Sequence, residues 1–571
     1  MTLQERRVAS ARIAKPTGPR SGGRILVDQL LVHGADMAFC VPGESYLEVL
    51  DALYDVRNRI SLINARHEAG AANMAEAYGK LTGKPGIAMV TRGPGACHAA
   101  VGIHTAFQDS TPMILLVGQV GRGMMDREAF QEVDFRRMFG PLAKWAAEID
   151  ITARIPEYLA RAFHLATSGR PGPVVLALPE DMLSETAEVE DASPHVSAQP
   201  AATPEHMAAL RQIIEKAERP LLIVGGFGWS DAACKEIVAF AETNGLPAAC
   251  SFRRQDVFDN RSECFVGDLS TSIAPTLSRR VKEADLIVLV GARLGEIATQ
   301  GYALLESPDP RQRLVHVYPD PDEIGRIFTP ALAIPSSVGA FAAAAANIKP
   351  LDGTKWRAWR QAARKEHLAS TEPPPTRWPL DIGRAFKELG AKLPADFIVT
   401  IDAGNFSGWV HRFLTYTRPC RELGPISGAM GYGVPAAVAA SLVHKDRLVI
   451  GCVGDGGFMM SGQEIATAVQ HGGKPIILVF NNNMYGTIRM HQEREHPGRV
   501  SASDLVNPDF AALGRALGAH GETVSRTEEF APTFERALKS GKPAVIELKV
   551  DPEQVSTRTT IAALREAAKN K

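Results

Sequence analysis

The segment 448–486 constrains the chain more than any other. It runs LVIGCVGDGGFMMSGQEIATAVQHGGKPIILVFNNNMYG and reads strand, turn, helix, strand, loop. The first strand ends at Gly454-Asp455-Gly456-Gly457. A helical stretch follows and stops at Gly472-Gly473, as at a helix C-cap. The second strand ends at Asn481-Asn482-Asn483. A right-handed crossover puts both strand ends on one edge of a parallel sheet, so Asp455 and Asn482 converge there. A carboxylate and an amide oxygen are hard ligands suited to Mg²⁺, which also takes phosphate oxygens and water. The glycines leave backbone N–H groups open to a diphosphate at a helix start. A lone Gly-Asp-Gly more often marks a tight turn with a structural Asp. The Asn pair at the next strand end makes the ligand reading more specific.

The same alternation of short apolar runs with helical patterns fills most of the chain, which predicts parallel α/β sheets. A length of 571 residues exceeds one hydrophobic core. Two loose stretches, 187–203 and 370–379 with Pro373-Pro374-Pro375, read as linkers. They leave three blocks, 23–186, 204–350 and 378–555. Strands are expected at 37–41, 60–63, 86–90 and 112–117 in the first block, and at 221–224, 286–290 and 314–317 in the second. In the third they are expected at 397–401, 448–453, 475–480 and 544–548. Blocks one and three share size and rhythm, as a duplication would leave them. The formal net charge is −1, so no global field favours nucleic acid or an anionic membrane. No apolar run approaches the roughly 20 residues of a membrane span. The seven cysteines form no CxxC pair, which points to a reducing, cytoplasmic setting rather than a disulfide framework or a zinc site. Residues 1–22 are basic and show no apolar helical face. They read as a disordered tail rather than a transit peptide.

Three further segments sit where strands end. In block one, 64–79 (NARHEAGAANMAEAYG) opens a helix of small residues with Glu68 in its first turn. A Glu there ordinarily complements the helix dipole at the surface. In block three, Ser427-Gly428-Ala429-Met430-Gly431 precedes a helix, and Asp402-Ala403-Gly404-Asn405 follows a strand. Together with 448–486, these segments resemble the thiamine-diphosphate enzymes, and most closely the acetolactate synthase large subunit and its relatives. The resemblance runs from about 23 to 552.

That resemblance implies three doubly wound α/β domains: pyrimidine-binding, middle Rossmann-like and diphosphate-binding. It implies thiamine diphosphate with Mg²⁺ held by Asp455, Asn482 and the Met484 carbonyl. Glu68 becomes the carboxyl group set against the cofactor's pyrimidine nitrogen. Met430 becomes the wedge under a bent cofactor and the Gly428 carbonyl an acceptor for its amino group. Gly404, Asn405, Gly454, Gly456, Gly457, Tyr485 and Gly486 line the cofactor. On the substrate side, Arg92-Gly93-Pro94-Gly95 and Phe130-Gln131-Glu132 resemble family loops, with Gln131 near the reacting carbons, and Lys144 matches a family lysine. Two positions depart. Glu44 stands where these synthases usually have glycine, and His491 where the anabolic ones carry Trp. Both disfavour a second 2-oxo acid as acceptor.

Block two resembles the family's FAD-carrying domain through Gly225-Gly226-Phe227-Gly228 and 320–325, but 291–296 departs, so FAD is possible and not favoured. The expected activity is carbon–carbon bond cleavage or formation on a 2-oxo acid or related carbonyl compound. Alternatives are a simple 2-oxo acid decarboxylase, a hydroxyacyl lyase or, from another class, a nucleotide-binding dehydrogenase. The last lacks a GxGxxG with an acid about 20 residues on. Family motifs facing each other across subunits imply a homodimer or a dimer of dimers.

Overall fold

The computed structural model describes residues 18–569. The expected tail therefore lies mostly outside the described residues. Its end does not: Arg20–Ser21 form a short strand against Thr186–Ala187, and a helix begins at Gly22. The chain divides into two compact units, one made of 1–107 with 111–197 and the other of 108–110 with 198–571.

The first unit is built on a six-stranded sheet. Its strands are β1 (Met37–Cys40), β2 (Ser61–Asn64), β3 (Gly86–Val90), β4 (Met113–Gln119), β5 (Trp145–Glu148) and β6 (Pro173–Pro179). Their spatial order is β2-β1-β3-β4-β6-β5, and every pairing is parallel. The central strands are buried along their whole length, as a sheet covered by helices on both faces requires. β5 and β6 were not expected. β6 is bracketed by Pro173 and Pro179, residues that argue against a central strand on sequence grounds, yet both stand at its ends, where Pro is tolerated.

The second unit carries two such sheets. The middle one comprises β7 (Pro220–Val224), β8 (Ala248–Ser251), β9 (Phe265–Leu269), β10 (Leu286–Val290), β11 (Arg313–Tyr318) and β12 (Leu332–Pro335), in the order β9-β8-β7-β10-β11-β12. Leu286, Val288 and Val290 pack into one apolar cluster while Ile287 and Leu289 pack into another. One strand thus feeds cores on both faces. The helix Arg357–Ser370 lies past the expected end of this block at 350. Arg364 nevertheless donates to the Asn260 and Phe265 carbonyls, which ties that helix to the middle sheet.

The last sheet comprises β13 (Ile398–Ile401), β14 (Arg421–Leu423), β15 (Val449–Gly454), β16 (Ile476–Asn481), β17 (His520–Val524) and β18 (Ala544–Lys549), in the order β14-β13-β15-β16-β18-β17. It is again wholly parallel. Within this unit Arg253, at φ +60°, donates to the carbonyls of Asp402 and Pro425 at 2.9 and 2.8 Å. The middle sheet thereby fixes the exits of β13 and β14. Among the described residues, no helix is long and apolar enough to cross a membrane.

Candidate active site

Ligands of parallel sheets sit outside the carboxyl ends of the strands, and the expected residues lie there. At the end of β15, Asp455 is buried. Its Oδ1 accepts the Gly456 N–H at 2.9 Å and its Oδ2 accepts the Asn507 amide at 2.8 Å. Burial without a charged partner pushes its carboxyl up from the ordinary value. A cation in reach would reverse that shift. The same Asn507 nitrogen lies 3.0 Å from Asn481 Oδ1 and 3.4 Å from Asn483 Oδ1. A donor thus sits among three oxygens, as a bound ion would.

At the end of β16 the three asparagines divide their work. Asn481 is buried, and its amide donates to Glu547 at 2.6 Å. Asn482 is half-buried, and its Oδ1 takes the Met484 N–H at 3.3 Å. Asn483 turns the chain at φ +56°. Among the three, Asn482 keeps a side chain near the opening of the helix Gly486–Glu495, where a Cβ on Gly486 would meet its Nδ2 at 3.1 Å. Asp455, a carboxylate in need of a cation, and Asn482 therefore suit a hard divalent ion.

The glycines after β15 are fixed by close approach. A Cβ on Gly456 would come within 2.5 Å of the Tyr485 ring and 3.5 Å of Met430 Cε. One on Gly457 would come within 2.4 Å of Asp402 Oδ2. Met430, Gly456 and Tyr485, from two loops and the first turn of the helix Asp455–Ser461, are thereby gathered at one place. Gly428 and Gly431 hold the Met430 loop at φ +71° and +79°. Met430 remains partly exposed, as a side chain that props a ligand must be. Gly404 (φ +147°) has the Phe406 ring 2.7 Å from where its Cβ would lie. Asn405 spends its amide nitrogen on the Val555 carbonyl and Met490 sulfur, and its backbone N–H on Thr487. It anchors the helix Gly486–Glu495 more than it offers donors outward.

Sequence reasoning named Asp402 only as the start of the loop after β13, with no role of its own, and missed Asn507. Asp402 is fully buried. Its carboxylate accepts the N–H groups of Ala403, Gly431 and Tyr432. Burial raises its carboxyl to about 6, against the pull of those donors. It pins the Met430 loop to the end of β13. Position immediately after a strand was the available signal. Asn507 lies in a polar loop before a Pro and gave none. His491 lies exposed on the helix Gly486–Glu495, whose inner face is held by buried Glu493 between Arg489 and Arg565.

In the first unit, Glu68 opens the helix Glu68–Thr82 after β2, capped by His67, whose Nδ1 accepts the Ala69 N–H at 3.1 Å. The Glu68 side chain is 13% exposed, so it is not the surface residue that a first-turn Glu ordinarily is. Its Oε2 lies 2.9 Å from His98 Nδ1. After β3, Arg92 is shared: 3.0 Å to Glu180, 3.6 Å to Glu44 and 3.2 Å to the Phe130 carbonyl. Glu44 is exposed, and the neighbouring guanidinium offsets its charge. Gln131 takes φ +65°, and a Cβ on Gly93 would meet its Cβ at 2.8 Å. Glu44, Arg92, Gly93, Phe130 and Gln131 therefore form one cluster. Lys144 does not join it. Its ammonium donates to the Leu165 and Ser168 carbonyls and caps the end of the helix Ile155–Thr167.

Parallel sheets whose strand ends gather a buried carboxylate, an amide and tightly packed glycines define a cofactor-dependent α/β enzyme. The chain matches the N-terminal binding domain of thiamine pyrophosphate enzymes over residues 20–138, their central domain over 207–345 and their C-terminal binding domain over 402–548. It is 33% identical to an acetolactate synthase large subunit of Parasynechococcus marenigrum, over 93% of this chain and 87% of that one. It is 29% identical to the large subunit of Escherichia coli acetolactate synthase isozyme 2, over 93% and 96%. With the Lactococcus lactis large subunit it shares 29%, over 95% and 94%. The chain belongs to the thiamine pyrophosphate enzyme family, and it is an acetolactate-synthase-like enzyme that works with thiamine diphosphate. The dehydrogenase alternative falls, because the middle block is the family's central domain.

Proposed function

We propose that this enzyme cleaves a 2-oxo acid or related carbonyl compound beside its carbonyl and delivers the acyl fragment to a neutral aldehyde or a proton. The bound thiamine diphosphate supplies the electron sink for that chemistry. Asp455, Asn482 and the Met484 carbonyl would hold the Mg²⁺ that accompanies the diphosphate, Met430 and Tyr485 would support the cofactor beside Gly456, and Glu68 would hold a proton at the pyrimidine nitrogen. The observation that carries this reading is Asp455, a buried carboxylate with only neutral donors around it at the end of β15.

The acceptor follows from the departures. A second 2-oxo acid wants a cation and an apolar wall. Here Arg92 is divided between two carboxylates, and His491 replaces a large ring. Product analysis with a panel of 2-oxo acids, with and without aldehydes, tests this. Pyruvate is expected to give little acetolactate. Acetolactate as the dominant product would overturn the acceptor assignment and leave the cofactor assignment standing.

FAD does not enter the proposal. In the Gly225–Gly228 turn, Arg254 donates to the Gly226 carbonyl and the Trp229 indole to the Gly225 carbonyl at 2.7 Å. The family pattern supports two copies sharing sites, Glu68 from one and Asp455 from the other. All seven cysteines are free and six are buried, which supports a reducing, cytoplasmic setting.

A further inference from the structure

His98 belongs to no motif that the sequence singled out, yet it is the side chain bonded to Glu68, at 2.9 Å from Nδ1 to Oε2. Its ring is half exposed in the first turns of the helix Pro94–Asp109 and stacks on His67, with centroids 4.5 Å apart and planes 29° apart. His67 is itself immobilised, because its Nδ1 caps the helix Glu68–Thr82. Donor atoms of His67, Glu68 and His98 lie within 4.8 Å of one another, close enough for one metal ion. The lone pair of His67 Nδ1 is committed to the Ala69 N–H, however, so its other ring nitrogen carries the proton in the neutral form and cannot ligate. A directed hydrogen bond remains. The second Glu68 oxygen, Oε1, faces Gly95, 3.5 Å from where a Cβ on that glycine would stand.

A glutamate's terminal torsion is broad. A charge-assisted hydrogen bond to one oxygen fixes the other, and proton transfer depends on geometry before acidity. We propose that His98 is a positioning residue: its imidazole N–H holds Glu68 Oε2 so that Oε1 meets the cofactor's pyrimidine nitrogen. His98 keeps its proton throughout. This inference rests on the reading of Glu68 as the group that faces that nitrogen.

The test is the affinity of the full-length protein, with Mg²⁺, for thiamine diphosphate and for the analogue in which that ring nitrogen is replaced by C–H. The ratio of the two reads the Glu68 contact without turnover. His98→Phe keeps the ring stacked on His67 and removes the donor. His98→Asn keeps a donor. The wild type is expected to prefer the natural cofactor. His98→Phe should cut that preference about tenfold, the scale of losing an outer hydrogen-bond partner, with an unchanged melting temperature. His98→Asn should recover it. Glu68→Gln is the control. If Glu68→Gln abolishes the preference and His98→Phe retains it, the positioning role is overturned while the Glu68 reading stands. Equal losses in the Phe and Asn variants overturn it as well. A preference that survives Glu68→Gln overturns the Glu68 reading, and this inference with it.

Discussion

The first and last sheets have the same topology and opposite chemistry. In each, with strands numbered by their order in the chain, the spatial order is 2-1-3-4-6-5, and all neighbours are parallel. The middle sheet runs 3-2-1-4-5-6 instead. Corresponding strand exits carry different residues. After the second strand stand Glu68 in one sheet and the Met430 loop in the other. After the third stand Arg92-Gly93-Pro94-Gly95 and Gly454-Asp455-Gly456-Gly457. The first sheet thus offers a largely buried acid hydrogen-bonded to a histidine, and the last a buried carboxylate among neutral donors. A shared scaffold fixes where side chains emerge. The residues at the exits decide whether an exit binds or reacts, in keeping with the rule that function is grafted onto a fold.

Four experiments sharpen or break that division. The largest effect is expected from Glu68→Gln. It should slow proton exchange at the reactive carbon of the bound cofactor by about 10²–10⁴-fold, while calorimetry shows the diphosphate still anchored and the cofactor affinity lowered no further than that of the C–H analogue. An unchanged exchange rate would remove the first sheet from the chemistry.

Asp455→Ala should do the reverse. Cofactor affinity in Mg²⁺ should fall by more than about 100-fold, since even outer partners of a metal cost about 10–100-fold, and the fold should persist by circular dichroism. Normal affinity in the presence of chelator would break the assignment.

Mixing the two variants asks whether the two sheets serve one site from different copies. Heterodimers should regain about half the wild-type activity, one intact site in two. Heterodimers shown to be present and still inactive would argue for sites within one copy.

The smallest effect concerns Asp402. Its carboxyl is raised from 3.8 to about 6 in the folded protein. A raised folded value contributes stability that is present below pH 3.8 and lost as pH rises through about 6. The stability of the wild type relative to Asp402→Asn should therefore decline between about pH 4 and 6, by roughly 1–3 kcal/mol. Melting temperatures of both proteins across that range check this, and a flat difference would refute it.

The amino-acid order by itself determined the α/β class and the strand ends at Asp455 and Asn482. Those features are local: apolar runs, turn glycines and chain spacing require no partner. It did not determine β5, β6, β8, β9, β12, β14 or β17. β17 (HGETV) is polar and lies at the sheet edge, and β14 has three residues. Such strands exist because a neighbour supplies the hydrogen bonds. Nor did it determine which asparagine is structural, that Lys144 caps a helix, or that Asp402, Asn507 and His98 stand against Met430's loop, Asp455 and Glu68. The last three contacts join residues from 29 to 52 positions apart within their own units. They form only once parallel strands place their carboxyl ends on a common edge, so packing rather than local propensity decides them.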